Sequence, residues 1–232
     1  MREPIAFCWS GGKDSALALH TLREDGRFRV VELLTTVTEE FDRVSMHGVR
    51  VPLVEQQARS LGLPLSEMRV PAWPTNVKYE ERLGEACKRL KSQGILRLVF
   101  GDIFLEDLRE YRDQLLASFG MEAVYPLWKS DTRELIERFV AEGFRAVTVC
   151  VRPPALDATF VGHDIDANFV RRLPDEVDPC GENGEYHSFV YDGPGWQFAI
   201  PFLTGGVVER DGFLFCDLLP FNEPQPAVHA AH

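Results

Sequence analysis

Cysteine is scarce and poorly arranged for covalent or metal chemistry. Five residues, at positions 8, 87, 150, 180 and 216, make an odd number, and no two form a CxxC pair. A disulfide framework needs an even set in a smaller secreted chain, and a structural zinc site needs close-spaced pairs. The expectation is therefore five reduced thiols packed as small hydrophobes. Long apolar runs are missing too. Nothing approaches the ~18 consecutive apolar residues of a membrane helix, and the first residues lack the basic flank and apolar stretch of a secretory signal. A cytoplasmic protein without a membrane partner is expected. Positive charge is in deficit: 25 Lys and Arg face 36 Asp and Glu, a net charge of −11. A phosphate backbone would be repelled, so no nucleic-acid partner is expected. No internal repeat is visible. What remains is an ordinary globular composition, 45% hydrophobic and 26% charged over 232 residues, long enough for one large domain or two modest ones.

The first half alternates short apolar runs with helical patterns. Strand-like runs cover 5–9, 28–37, 65–70, 95–100 and 123–128. Helical patterns cover 16–25, 52–61, 79–93 and 105–119, several of them stopped by a glycine. This β-α-β-α order predicts a doubly wound parallel sheet with helices on both faces, the strands apolar throughout because both faces are covered. After residue 130 the texture changes. Asp131 and Glu134 form a capping box opening one more helix, 145–151 is a β-branched strand, and two late strands are expected around 187–191 and 205–218. The expected organisation is α/β: residues 1–130 as the parallel-sheet domain, 131–222 as a smaller α+β domain, and 223–232 as a frayed end.

The strongest chemical signal lies between the first strand and the first helix: Ser10-Gly11-Gly12-Lys13-Asp14-Ser15. Two glycines allow a tight turn and close backbone approach. The first N–H groups of a helix have no partner and sit at the positive end of its dipole, so phosphate oxygens fit there. Ser10 and Ser15 add hydroxyls and Lys13 a charge. Asp14 suits a Mg²⁺ ion or a helix cap better than bare phosphate. The spacing is neither a Walker A loop nor GxGxxG. A second unusual segment, Asp178-Pro179-Cys180-Gly181-Glu182-Asn183-Gly184-Glu185, carries two carboxylates three apart on a glycine-bearing turn. It reads equally as a solvated hairpin, for which Asn-Gly is a signal by itself, or as a site.

The hexapeptide resembles the PP-loop of the N-type ATP pyrophosphatases, which implies an adenine nucleotide alpha hydrolase-like (HUP-type) fold. It also implies ATP and Mg²⁺ as cofactors, and adenylation of a substrate with release of pyrophosphate. With Asp178 to Val190, Gly101-Asp102-Ile103, Tyr125 to Trp128, Ser45-Met46-His47 and Gly162 to Asp166, the resemblance narrows to the diphthine–ammonia ligase family and covers about residues 3–220. That implies amide formation from a carboxylate and ammonia, diphthine on elongation factor 2 becoming diphthamide. The wording of 178–185 is similar to a bacterial branch, so another carboxylic acid is the alternative substrate. The resemblance implies nucleotide binding by Ser10 to Ser15. Asp14 and Asp102 would be metal-binding, and His47, Gly181, Glu182, Asn183 and Glu185 would stand at the substrate. Lys13, Asp14, Asp102, Glu182 and Glu185 would then do the chemistry. Asp102 could equally cap a helix. Thr36 and Val37, at a strand end, are candidates for backbone contact with adenine. Cys180 has no visible base and reads as a structural thiol. Two other classes remain. One is a tRNA-modifying PP-loop enzyme, disfavoured by the missing CxxC and the acidic balance. The other is a non-catalytic adenine-nucleotide module. The sequence leaves monomer and homodimer both open.

Overall fold

The computed structural model describes residues 2–221; the stretch 223–232, expected to fray, lies outside them. The first unit runs β1 (Glu3–Cys8), α1 (Lys13–Asp25), β2 (Phe28–Thr38), β3 (Arg43–Val44), α2 (Val51–Leu61), β4 (Leu65–Val70), α3 (Asn76–Ser92), β5 (Arg97–Val99), α4 (Glu106–Ser118) and β6 (Glu122–Val124). Local chemistry sets the ends. Pro52 occupies the first turn of α2, where its missing N–H has no cost, and Thr75 caps α3 by accepting the Lys78 N–H.

The doubly wound sheet is present. β1 pairs in parallel with β2 on one side and β5 on the other, and β5 pairs with β6. Leu33 and Leu34 pair with Phe7 and Cys8 across one edge of β2 and with Leu65 and Ser66 of β4 across the other. The parallel order is thus β4-β2-β1-β5-β6. The chain reverses direction across the sheet between β1 and β5, and open α/β sheets bind ligands at the carboxyl side of such a point. The short β3 was not anticipated. It pairs antiparallel with Val37 and Thr38, whose other edge is occupied by β4. It therefore lies on the same edge as β1, just beyond the point where β1 ends. This brings residues 43–47 beside the turn after β1.

The second unit has α5 (Thr132–Ala141), β7 (Arg145–Val151), α6 (Ala167–Arg172), β8 (Tyr186–Asp192), β9 (Phe202–Arg210) and β10 (Phe213–Pro220), with the four strands in the antiparallel order β8-β7-β10-β9. Asp131 accepts the Glu134 N–H at 2.9 Å, as the capping pattern predicts. The expected single strand over 205–218 is a hairpin instead. It turns at Asp211-Gly212, both at positive φ, and an Asp-Gly pair between apolar runs is the signal for such a turn. The expected strand over 123–128 stops at Val124.

Successive residues of β1 face opposite ways. Ala6 joins Leu83, Leu90 and Leu116 under α3 and α4. Ile5, Phe7 and Trp9 join a larger cluster that takes in Leu17 of α1, Leu53 of α2, Phe139 of α5 and Phe189 of β8. One apolar core therefore crosses from the first unit into the second, unlike the small polar contacts usual between mobile domains. No described helix is long and apolar enough to cross a membrane.

Phe189 is fully buried in this shared core. Phe189→Ala is expected to cost about 3–5 kcal/mol of unfolding free energy and to shift one cooperative urea transition as a whole. Two separated transitions would show that the units fold independently.

Candidate active site

The segment from Ser10 to Ser15 turns from β1 into α1 at the carboxyl edge of the sheet, beside the reversal point. Gly12 is the helix N-cap and offers no side chain; Ser10 holds the turn before it, its hydroxyl accepting the Gly12 N–H at 3.2 Å and meeting the Ser15 hydroxyl at 3.0 Å. The Lys13 N–H goes to the Ser188 hydroxyl at 3.1 Å. The first bond of the helix itself is Ala16 N–H to the Gly12 carbonyl, 3.1 Å. The Gly11 carbonyl stands where a longer helix would have an acceptor for the Ser15 N–H. It instead takes the Val190 N–H at 2.9 Å and the Gln57 amide at 3.0 Å. The turn is thus held in a form that leaves the Ser15 N–H without a helical acceptor and open to an anion. Its glycines also let β8 close on it: a Cβ on Gly12 would lie 2.7 Å from His47 and 3.2 Å from the Ser188 carbonyl.

Lys13, though it opens the helix, is buried, only 3% exposed. Its ammonium donates to Asp14 at 2.9 Å and to the Cys180 carbonyl, and lies 4.7 Å from the centre of the Tyr186 ring. Burial disfavours this charge, but the Asp14 carboxylate, with Tyr186 and Cys180 adding to it, outweighs that effect, and the ammonium is held above its ordinary pKa. Burial pushes the Asp14 carboxyl up, with Lys13 opposing. Asp102 does not cap a helix, since Leu105 is the N-cap of α4. It is paired with Arg112 of α4. Asp14, Asp102 and Glu182 line one cavity of about 480 Å³.

Glu182 joins the two units by accepting the Ile103 N–H at 2.7 Å. Its carboxyl is pushed up to about 7, chiefly by burial, with Asp14 and Asp102 adding to it. Gly181 lines the cavity at φ +67°, where a Cβ would be 2.7 Å from Tyr186. The other carboxylate of the turn behaves differently. Glu185 is 4% exposed and not on the cavity wall. Its Oε1 accepts the Asp178 N–H at 3.1 Å and the Asn183 side-chain amide at 3.2 Å, while its buried Oε2 has no partner among the described residues. Asn183 is likewise off the wall, braced between Glu185 and Arg152. The two carboxylates do not act as a pair: one faces the cavity and the other shapes the turn behind it. Cys180 donates its thiol to the Thr132 carbonyl at 3.3 Å, and burial pushes that thiol up. It is a structural thiol, and its backbone oxygen holds Lys13.

Thr36 lines the cavity and Val37 does not. The Thr36 carbonyl accepts the Ser45 N–H at 2.9 Å, and Val37 is paired on both edges. The backbone groups expected to meet adenine are engaged within the sheet. The apolar end of the cavity is made by Leu34, Tyr79 and Phe100, with Arg112 over the Phe100 ring at 4.4 Å.

His47 reaches the cavity because β3 sits beyond β1. Its Nδ1 donates to the Ser188 carbonyl at 3.0 Å, which leaves the Nε2 lone pair free of that bond. The His187 ring stacks obliquely at 4.7 Å. Burial, with the Lys13 charge adding, lowers His47 to about 4; burial and the His47 and Lys13 charges lower His187 as well. Sequence reasoning missed His187, Ser188, Tyr186, Arg112 and Gln57 as parts of the site. The first three lie in the quoted 178–190 segment. Arg112 and Gln57 sit in ordinary helical patterns with no local signal.

The sign for His47 is set by its lowered folded pKa. Protonation favours the unfolded chain, so this residue's contribution is intact above about 6.5 and is lost as pH falls toward about 4. His47→Asn, which keeps a donor for Ser188, should lose less stability than the native protein between pH 7 and pH 5 in urea titrations. An identical pH dependence in the two proteins would contradict this.

Residues 3–123 match the family model described as the diphthamide synthase N-terminal domain, and residues 131–210 match the one described as its C-terminal domain. The chain is 25% identical over 228 residues to a diphthine–ammonia ligase of Schizosaccharomyces pombe, an alignment covering 90% of this chain and 38% of that protein. It is 23% identical over 206 residues to a diphthine–ammonia ligase of Danio rerio, covering 80% of each. The chain therefore spans less than half the length of the yeast relative. With both halves of the family pattern matched in order along one chain, this protein belongs to the diphthamide synthase family.

Proposed function

We propose that this protein is an ATP-dependent amide-forming ligase. It adenylates a carboxylate, releases pyrophosphate and uses ammonia to displace AMP. The carboxylate is that of diphthine on elongation factor 2, the substrate class in the names of the relatives, or a related carboxylic acid. The observation that carries the reading is the shared cavity: the N-terminus of α1, suited to an anion, and Gly181, Glu182, Tyr186, His187 and Ser188 of the other unit line the same space.

The division of labour follows from the lining. The apolar end at Leu34, Tyr79 and Phe100 suits a flat base. The Lys13 ammonium and the Ser15 N–H hold the terminal phosphates, with the Ser10 and Ser15 hydroxyls beside them. The donors are preorganised where charge grows on the departing pyrophosphate, so they need not reorganise as it forms. Asp14 and Asp102 offer the hard oxygen donors that suit Mg²⁺, and the carboxylate repulsion that adds to burial in lifting Glu182 is what a divalent cation would relieve. When bound, Mg²⁺ supplies neutralisation of phosphate charge. An oxygen of the substrate acid attacks the α-phosphorus and pyrophosphate leaves. Ammonia then adds to the acyl carbon and AMP leaves. The surplus proton of the attacking nitrogen passes to Glu182, whose carboxyl exchanges protons near neutral pH. Glu185 keeps the shape of that turn and does not touch the reactants.

Incubation with ATP, Mg²⁺, ammonium and diphthine-bearing elongation factor 2 should yield AMP and pyrophosphate together with the amide. ADP and phosphate as the only nucleotide products would overturn the reading, and so would binding of ATP without any cleavage.

Glu182→Gln and Glu185→Gln separate the two carboxylates. The first should reduce amide formation by about 10²–10⁴, the range of a lost general base, while leaving ATP affinity nearly unchanged. The second should instead lower thermal stability and diminish both quantities together. Equal small effects on amide formation from the two variants would remove Glu182 from the chemistry.

A further inference from the structure

Gln57 lies on α2, fully buried, and does not line the cavity. Its amide is nevertheless bonded to the backbone of the phosphate loop. Nε2 donates to the Gly11 carbonyl at 3.0 Å and to the Val190 carbonyl at 2.6 Å, and Oε1 accepts the Trp9 indole N–H at 2.8 Å. Two carbonyls and one indole N–H converge on a point that requires two donors and one acceptor. Among neutral side chains only a primary amide supplies that set, and Asn is one methylene too short to reach from the same Cα.

The consequence lies at Gly11. With Gln57 on one lone pair and the Val190 N–H on the other, its carbonyl is saturated and points away from the helix. Released from Gln57, the Gly11–Gly12 peptide could rotate, since glycine has little preference between backbone regions. Its oxygen could then take the Ser15 N–H in an ordinary helical bond or present a partial negative charge to the incoming phosphate. The fit is close: a Cβ on Gly11, which sits at φ +79°, would lie 2.8 Å from Gln57 Oε1.

We infer that Gln57 is the positioning residue of the phosphate site: it fixes the Gly11 carbonyl against β8 and so keeps the Ser15 N–H available to the terminal phosphates of the nucleotide. This rests on the nucleotide reading above. Gln57 itself touches no ligand, so its removal acts on the phosphates selectively and not on the base or the α-phosphate.

A control lies on the same helix. Ser60 is also fully buried and also ties α2 to the second unit, donating to the Phe198 carbonyl at 2.6 Å and accepting the Phe198 N–H at 3.1 Å. It touches no part of the loop. Calorimetric titration of the full chain with ATP, pyrophosphate and AMP, each with Mg²⁺, should show Gln57→Met losing about tenfold or more in affinity for ATP and pyrophosphate, the fold-change of one ordinary buried hydrogen bond. Its AMP affinity should stay within about twofold. Ser60→Ala should lose thermal stability without this split. Gln57→Glu keeps the side-chain length and an acceptor for Trp9 while setting an oxygen against two carbonyls; it should show the same split and serves if the Met variant fails to fold.

Absence of ATP binding by the unaltered chain would overturn the nucleotide reading itself. Where the unaltered chain binds ATP, three results would each overturn the positioning role: unchanged ATP affinity in a folded Gln57 variant, parallel loss for ATP and AMP, or the same split in Ser60→Ala.

Discussion

A helix N-terminus binds anions only where its N–H groups are unclaimed, and in this chain the second unit takes the Lys13 N–H and, by holding the Gly11 carbonyl, keeps the Ser15 N–H open. Strand β8 runs along the phosphate loop. Its Ser188 hydroxyl takes the Lys13 N–H, and its Val190 N–H takes the Gly11 carbonyl. The loop has almost no capping chemistry of its own, since the N-cap is a glycine. Its conformation is therefore a tertiary property, set by β8 from one side and Gln57 from the other. The glycines matter as much for this closure as for ligand approach, because side chains at 11 or 12 would collide with Gln57, His47 or the Ser188 carbonyl.

The charges lining the cavity leave it acidic. Lys13 and Arg112 face Asp14, Asp102 and Glu182, so with all groups ionised the acids outnumber the bases before any nucleotide enters. The two cations are each bonded to one of those acids. A triphosphate arriving with no partner would meet further negative charge in a part-buried setting, where such repulsion is weakly screened. Two remedies are available: protonation of Glu182, already raised to about 7, and a divalent ion at the carboxylates. The neutral state of His47 and His187 shows the complementary effect near Lys13, where burial and its positive charge act together to expel protons.

What the sequence makes legible here is what neighbouring residues encode among themselves. The alternation of strands and helices, the turn from β1 into α1, and the N-cap at Asp131 depend on spacings of a few residues, and all are present in the structure. The Asp211-Gly212 turn was legible in the same way and was overlooked inside an apolar run. The burial of Lys13 was not legible, because the groups that cover it, Cys180 and Tyr186, come from more than 160 residues away. Nor was the split between Glu182 and Glu185. Both are glutamates on one turn, and only the position of Ile103 and of Asp178 decides which faces the cavity. Gln57 carries no local mark at all; it is a polar residue in an amphipathic helix whose partners are a loop and a strand distant in the chain.

The same arrangement ties the two proposed half-reactions together. Adenylation depends on the loop after β1, and proton acceptance depends on the turn before β8. These are joined by direct bonds, Glu182 to the Ile103 N–H and Lys13 to the Cys180 carbonyl, over a core that is continuous from Phe7 to Phe189. Separating the units would break polar bonds and expose apolar surface at once, so the cost rises in both terms. A site built across such a seam resists separation of its halves, so on the proposed reading the loop and the Glu182 turn would face one cavity in both half-reactions.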